Sequence, residues 1–241
     1  EAFDDAAVAV VPAGSVEQHG PALPLGTDLY AATAVAESVA DRDDVVLAPP
    51  IPVGASGHHR QFHGTLSVTP ETFEDYAHDV VASLAEHGVR KAVFANGHGG
   101  NTDALTRAAR RLRERDVAFA TPWNWWSNLE GLEAELFDVD GITHADAMET
   151  SMMLHLTEHV REDALEDAEA GAAEGWGEGV HGAPVGFDAI DFSESGAVGH
   201  PTKGNAEAGE ALFEKATSEL GALVDWLGAQ SFADLRPEAH R

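Results

Sequence analysis

Three short stretches concentrate the residue types that bind metals or move protons. The first is Pro12-Ala13-Gly14-Ser15-Val16-Glu17-Gln18-His19-Gly20, continued by Pro24-Leu25-Gly26-Thr27-Asp28. It brings Glu17, His19 and Asp28 into twelve residues. Carboxylate oxygen and neutral imidazole nitrogen are ligands of divalent transition metals. Glu17 and His19 are two apart, so an extended chain projects both to the same side. A polar loop in which Asp28 caps the next helix uses the same residues without any chemistry. The second stretch is Asn96-Gly97-His98-Gly99-Gly100-Asn101. Its glycines let the backbone turn tightly and approach a ligand, and His98 alone in its middle can coordinate or carry a proton. It lacks the Lys of a P-loop and the spacing of a dinucleotide fingerprint, which disfavours a phosphate cradle. The third is His144-Ala145-Asp146-Ala147-Met148-Glu149-Thr150-Ser151. His144 and Glu149 are five apart, about 140° around an ideal helix. His144 is therefore expected just before a helix, Glu149 within it, and Asp146 as its cap.

Elements that would position these stretches can be read from the apolar pattern. Ala6–Val11, Val45–Leu47, Lys91–Ala95 and Val117–Thr121 read as buried strands. Asp28–Ala40, a segment from Thr69-Pro70 to about His87, and Thr102–Arg115 read as the helices between them. Gly88 is the expected stop of the second helix. A Gly/His-rich loop covers Gly54–Ser67, and an aromatic segment Pro122–Asn128 follows the fourth strand. A helix near Glu149–His159, a Gly/Glu-rich loop Ala168–Val185 and a helix Asn205–Leu227 complete the chain. Alternating strand and helix predicts a mostly parallel sheet in a three-layer α/β/α arrangement, as one domain over residues 1–241. Ligands of such sheets sit beyond the carboxyl ends of the strands, where two of the three stretches fall.

The chain has 42 acidic residues against 14 basic ones, a formal charge of −28, with only three Lys. That charge repels nucleic-acid phosphate and anionic membrane surfaces, which excludes both as expected partners. Hydrophobic residues make up 44% of the chain, enough for a core. The acidic surplus is spread along the sequence, as expected of adaptation to high salt in a halophilic archaeon. There is no Cys, so thiolate chemistry and disulfides are ruled out. No run of about 18 apolar residues suggests a membrane span. Glu1–Asp5 lack a basic signal-peptide region, so a cytoplasmic location is expected.

The strings PAGSVEQHGPALPLGTD, NGHGGN and HADAMETS together resemble the creatininase (creatinine amidohydrolase) family of metal-dependent amidohydrolases. The resemblance extends through Gly54-Ala55-Ser56-Gly57-His58-His59, Phe62-His63-Gly64-Thr65 and Gly199-His200-Pro201-Thr202-Lys203-Gly204, and keeps the family order. It implies a creatininase-like fold, a homo-hexamer and two divalent metals per subunit, drawn from Zn, Fe(II) or Mn. Glu17 and His98 would hold one metal, His19 would help hold the other, and Asp28 would bridge them. His144 would be catalytic. Glu149 would either complete the second metal's ligands or relay the proton. Ser56, His59 and Gly99 are expected on the substrate side. Trp123, Trp125 and Trp126 would either wall a planar substrate, Trp125 foremost, or pack the core or a subunit interface.

Creatinine-active members are similar to N-G-H-Y-E-N in the second stretch, where Tyr contacts substrate and Glu binds the second metal. Here Gly99 and Gly100 stand at those positions, Asp140 replaces a substrate-packing Trp, and His63 stands where Pro is common. The N-G-H-G-G-N pattern instead resembles a branch that holds the formamidopyrimidine ribotide deformylase of riboflavin and deazaflavin synthesis and the peptidase of the mycofactocin precursor. The expectation is metal-assisted hydrolysis of a small-molecule amide or formamide C–N bond, the deformylase being preferred. Creatinine hydrolysis, precursor-peptide cleavage and a non-catalytic metal scaffold are the alternatives. A bound metal suits this task because it lowers the pKa of water from about 15.7 towards about 7. The Arg cluster of Arg107, Arg110, Arg111, Arg113 and Arg115 reads either as a phosphate site or, preferentially, as a salt-bridged helix face.

Overall fold

The computed structural model describes residue 3 and residues 5–129, 131–139, 143–177 and 179–237. Strand β1 (Val8–Ala13), β2 (Val45–Leu47), β3 (Lys91–Asn96) and β4 (Phe119–Asn124) form one sheet in the order β2-β1-β3-β4. Every pairing in it is parallel. The connections are α1 (Thr27–Glu37), α2 (Pro70–Glu86) and α3 (Thr102–Glu114). Beyond β4 come α4 (Leu132–Phe137), α5 (Ala147–Leu156), α6 (Leu165–Ala170), a two-stranded ribbon of β5 (Gly179–Val180) and β6 (Ala183–Pro184), and α7 (Ala206–Ala229).

Alternation along the strands creates the three layers. Val8, Val10, Val93 and Ala95 face a core shared with Val35 of α1, Met152 of α5 and Leu212, Leu220 and Val224 of α7. Ala9, Val11, Ala92 and Phe94 face the other core, shared with Phe73 and Val81 of α2 and Leu105 and Leu112 of α3. Both faces are covered, so the central strands are apolar throughout.

The local signals act as the residue types dictate. The Thr69 hydroxyl accepts the Thr72 N–H at 3.2 Å, with Pro70 opening α2, and Gly88 ends it at φ 95°. Arg107 and Arg111 of α3 bind Glu74 and Asp75 of α2, and Arg113 donates to the Leu235 carbonyl, so these three serve packing. The fourth strand runs further than the pattern suggested, through Pro122 to Asn124. It is an edge strand, where a missing N–H is tolerated. No helix of the described residues is long and apolar enough to cross a membrane. Leu220 is wholly buried between α7 and the sheet. Leu220→Ala should lower stability by about 2–5 kcal/mol in a denaturant titration.

Candidate metal centre

Four segments converge at the carboxyl edge of the sheet. The loop after β1 delivers Glu17 and His19, the turn after β3 delivers His98, the first turn of α1 delivers Asp28, and the first turn of α5 delivers Glu149. Their placement depends on small residues. A Cβ on Gly97 would lie 2.1 Å from the Asp28 carbonyl oxygen, so only glycine lets the start of α1 sit against the end of β3. Asp146 accepts the N–H groups of Met148 and Glu149 at 2.9 and 3.1 Å, which fixes the start of α5. His144 lies just before that helix, paired with Val198, whose N–H donates to the His144 carbonyl at 2.8 Å.

Asp28 divides the cluster in two. Its Oδ2 lies 3.3 Å from His98 Nδ1, which is also 3.2 Å from Glu17 Oε1. Its Oδ1 lies 3.1 Å from His19 Nε2, which is 3.6 Å from Glu149 Oε2. Glu17, Asp28 and His98 thus form one set of donor atoms within 4.8 Å of one another, and His19, Asp28 and Glu149 form a second. A third grouping, Glu17, His19 and His144, meets the same limit.

The outer nitrogens of the two shared imidazoles are occupied. His19 Nδ1 donates to the Glu17 carbonyl at 3.2 Å, and His98 Nε2 donates to the Ala55 carbonyl at 3.4 Å. Each ring therefore turns a lone pair towards the carboxylates, the arrangement that metal-ligating histidines adopt. Glu17 Oε1 and Oε2, His19 Nε2 and Asp28 Oδ2 are buried without a hydrogen-bond partner among the described residues. These orphaned atoms, all oxygen or imidazole nitrogen, fit a divalent transition metal.

Charge sorts the histidines into two kinds. Burial would raise the Glu17 carboxyl, but the charge and hydrogen bond of His98, with the charge of His59, together lower the pKa to about 2. Burial would lower His98, yet Glu17 and a hydrogen bond to Asp28 raise it to about 10. Asp28 and Glu149 likewise overcome burial to raise His19 well above its ordinary value. Without cations, protons on His19 and His98 neutralise the carboxylates; a divalent ion takes over that role by displacing them. Burial and the neighbouring His144 instead lower His59 to about 2, and burial and His19 lower His144. Those two rings stay neutral.

The cluster floors a cavity of about 310 Å³, whose wall includes His58, His59, Gly99, Trp126, His144 and Trp176. Two expectations about this wall are corrected. Trp125 is 2% exposed and lies in the core beside α5 and α7; Trp126, its neighbour, reaches the cavity instead. Ser56 is wholly buried behind His98, its hydroxyl bonded to that of Ser15, and does not reach the cavity. Gly99 lines the cavity with open space where a side chain would start. A Cβ on Gly100 would lie 2.4 Å from His98 Nε2 and 2.7 Å from the Ala55 carbonyl, so no ligand can come from that position. Asp140 lies outside the described residues, and His63 is exposed, away from the cavity wall. Sequence reading missed Trp176, set in the Gly/Glu-rich segment, and His58, whose ring stacks on His98 at 5.6 Å.

The family model described as creatinine amidohydrolase matches residues 1–224. The chain belongs to the creatininase family. It is 37% identical over 235 residues to the mycofactocin precursor peptide peptidase of Mycobacterium ulcerans, covering 90% of this chain and 84% of that one. A solved putative creatinine amidohydrolase from Bacteroides fragilis superposes with a TM-score of 0.79 at 26% identity, over 94% of this chain and 91% of the other. A manganese creatininase superposes at 0.78 with 23% identity, over 95% and 93%. Solved creatininases also include a zinc–zinc form. The chain is accordingly a metal-dependent amidohydrolase of that family.

Chelator-treated protein should bind zinc or manganese and gain thermal stability. At a hundredfold excess over Kd the gain is about 2.7 kcal/mol, read by differential scanning calorimetry. Gly97→Ala should push Asp28 away and remove most of that gain while the fold, read by circular dichroism, persists.

Proposed function

We propose that this chain is a two-metal amidohydrolase acting on an amide whose reacting end carries no phosphate. Glu17, Asp28 and His98 would hold one ion, and His19, Asp28 and Glu149 the other. When bound, the pair activates water at neutral pH and neutralises the charge that develops on the amide oxygen. His144, neutral and beside both donor sets, would pass the proton to the leaving nitrogen; such transfer contributes about 10²–10⁴-fold. Trp126 and Trp176 would bracket a planar or apolar group next to the scissile bond.

The observation that carries this reading is the wall itself. Its described residues include acids, histidines and two tryptophans, with no Lys or Arg. A formamidopyrimidine ribotide needs cations for its phosphate, so the deformylase ranks below a phosphate-free amide. A peptide substrate is the second reading, supported by the 37% identical peptidase and by Trp176, which is half exposed at the wall. Metal-reconstituted protein should be screened in high salt against creatinine, a formamidopyrimidine ribotide and short peptides. Cleavage of a peptide or other phosphate-free amide is expected; the ribotide as the fastest substrate would overturn the ranking. Asp28→Ala should lose both ions and activity. Glu149→Gln should drop from two ions to one, measured by elemental analysis; two ions retained would return Glu149 to a proton-relay role.

We also infer a salt-adapted, cytoplasmic homo-hexamer. The −28 charge supports salt adaptation, and the exposed Tyr30, Tyr76 and Trp226 offer apolar surface for subunit contacts. The melting temperature should rise markedly from dilute buffer to molar potassium chloride, and native mass measurement in that salt should give six chains.

A further inference from the structure

Gln18 sits between the two candidate metal ligands Glu17 and His19, yet its side chain turns away from both. It is 4% exposed. Its Oε1 accepts the Gly20 N–H at 2.9 Å. Its Nε2 donates to the Gly196 carbonyl at 3.0 Å and lies 2.7 Å from His59 Nδ1 and 2.9 Å from His144 Nε2. The Gln18 main-chain carbonyl lies 2.8 Å from His144 Nε2. Gln18 thus contacts, through its side-chain amide and its main-chain carbonyl, rings that are 41 and 126 residues away in sequence.

The proton count allows one arrangement. An amide nitrogen has two protons, and Gly196 takes one. A carbonyl oxygen can only accept, so His144 Nε2 carries a proton and donates it to Gln18. The remaining amide proton then goes to His59 Nδ1, which must be bare. His59 consequently carries its proton on Nε2, which lies 3.5 Å from Glu17 Oε1. His144 keeps its lone pair on Nδ1, which lies 3.7 Å from the same oxygen. The two rings end up with opposite offers towards the cluster: His59 a donor, His144 an acceptor.

The site is built around this amide. Gly196 has φ 87°, and a Cβ there would lie 2.0 Å from Gln18 Oε1. Its turn is tied by Ser193, whose hydroxyl accepts the Gly196 N–H at 2.9 Å and donates to the Ala197 carbonyl at 2.6 Å. A residue other than glycine would need both the wrong φ and the space the amide fills.

We propose that Gln18 is a positioning residue: its side-chain amide sets the tautomer of His59 and its main-chain carbonyl that of His144, so that His144 presents a basic nitrogen to the reacting atoms. The proposal rests on the amidohydrolase reading, but its first test does not. Zinc-loaded full-length protein labelled with ¹⁵N-histidine reports each ring's tautomer by long-range proton–nitrogen correlation. Native protein should show Nε2–H on both rings. Gln18→Glu has the same shape but only accepts, so His59 should gain a proton on Nδ1. The kcat for amide cleavage should fall about 10–100-fold, with KM and zinc content near native values. Gly196→Ala, which displaces the amide without changing its chemistry, should give mixed tautomers and a similar loss. Unchanged tautomers in Gln18→Glu, changed tautomers with native kcat, or loss of zinc in step with kcat would each overturn the proposal. If native protein cleaves no amide, the amidohydrolase reading falls, and the tautomers alone decide whether Gln18 sets the rings.

Discussion

Glu17, Asp28 and Glu149 are withdrawn from water at one edge of the sheet, and among the described residues only imidazoles come within ion-pair distance of them. Like charges in one dry cluster repel, and burial of Glu17 and Asp28 opposes their ionisation. A fold that tolerates this must supply positive charge. Protons on His19 and His98 do so in the empty cluster, and divalent cations do so with stronger, directional bonds. The rest of the site follows from that constraint. The outer nitrogens of His19 and His98 are spent on main-chain carbonyls so that their inner ones stay aimed inward. Gly97 brings the start of α1 close enough for Asp28 to face both imidazoles at once.

The same constraint divides the acidic residues into two populations. The cluster acids are buried, whereas most others face solvent or pair with Arg or Lys near the surface. Arg60 with Asp188, Arg42 with Asp44 and Lys215 with Glu219 are of this second kind. Exposed pairs contribute little each, and salt screens them further. Net charge therefore belongs to the surface, whereas Glu17, Asp28 and Glu149 belong to the cluster.

Much of this was legible in sequence because it depends on short-range pattern. Glu17, His19 and His98 follow apolar strands directly, and the sheet rule places such loops together. Asp146 announces the start of α5, which separates His144 from Glu149 as their spacing required. What was not legible depends on side-chain direction. Trp125 and Trp126 are adjacent, and nothing local says which turns to the core; the packing of α5 and α7 decides it. Ser56 looked like a substrate contact, but its hydroxyl is directed to Ser15. Trp176 lay in a Gly/Glu-rich segment without periodicity, and only tertiary structure brings it within 6.0 Å of the His144 ring. Gln18 carried no signal at all, since an amide between two ligands reads as a spacer until its partners are known.

The glycines at positions 99 and 100 have opposite consequences. Gly100 faces protein, where a Cβ would strike His98 and Ala55; Gly99 faces open cavity. Neither glycine offers a side-chain donor, so His98 is what this loop brings to the donor sets. Glu149 reaches the set of His19 and Asp28 from a helix capped by Asp146 and packed along α7. On the loop side Gly97, Gly99 and Gly100 line the cavity beside His98. Trp126, Trp176 and the rings of His59 and His144 line it as well. On the proposed reading, a flat or apolar group flanking the amide would therefore meet these rings and bare backbone, not a side chain from positions 99 or 100.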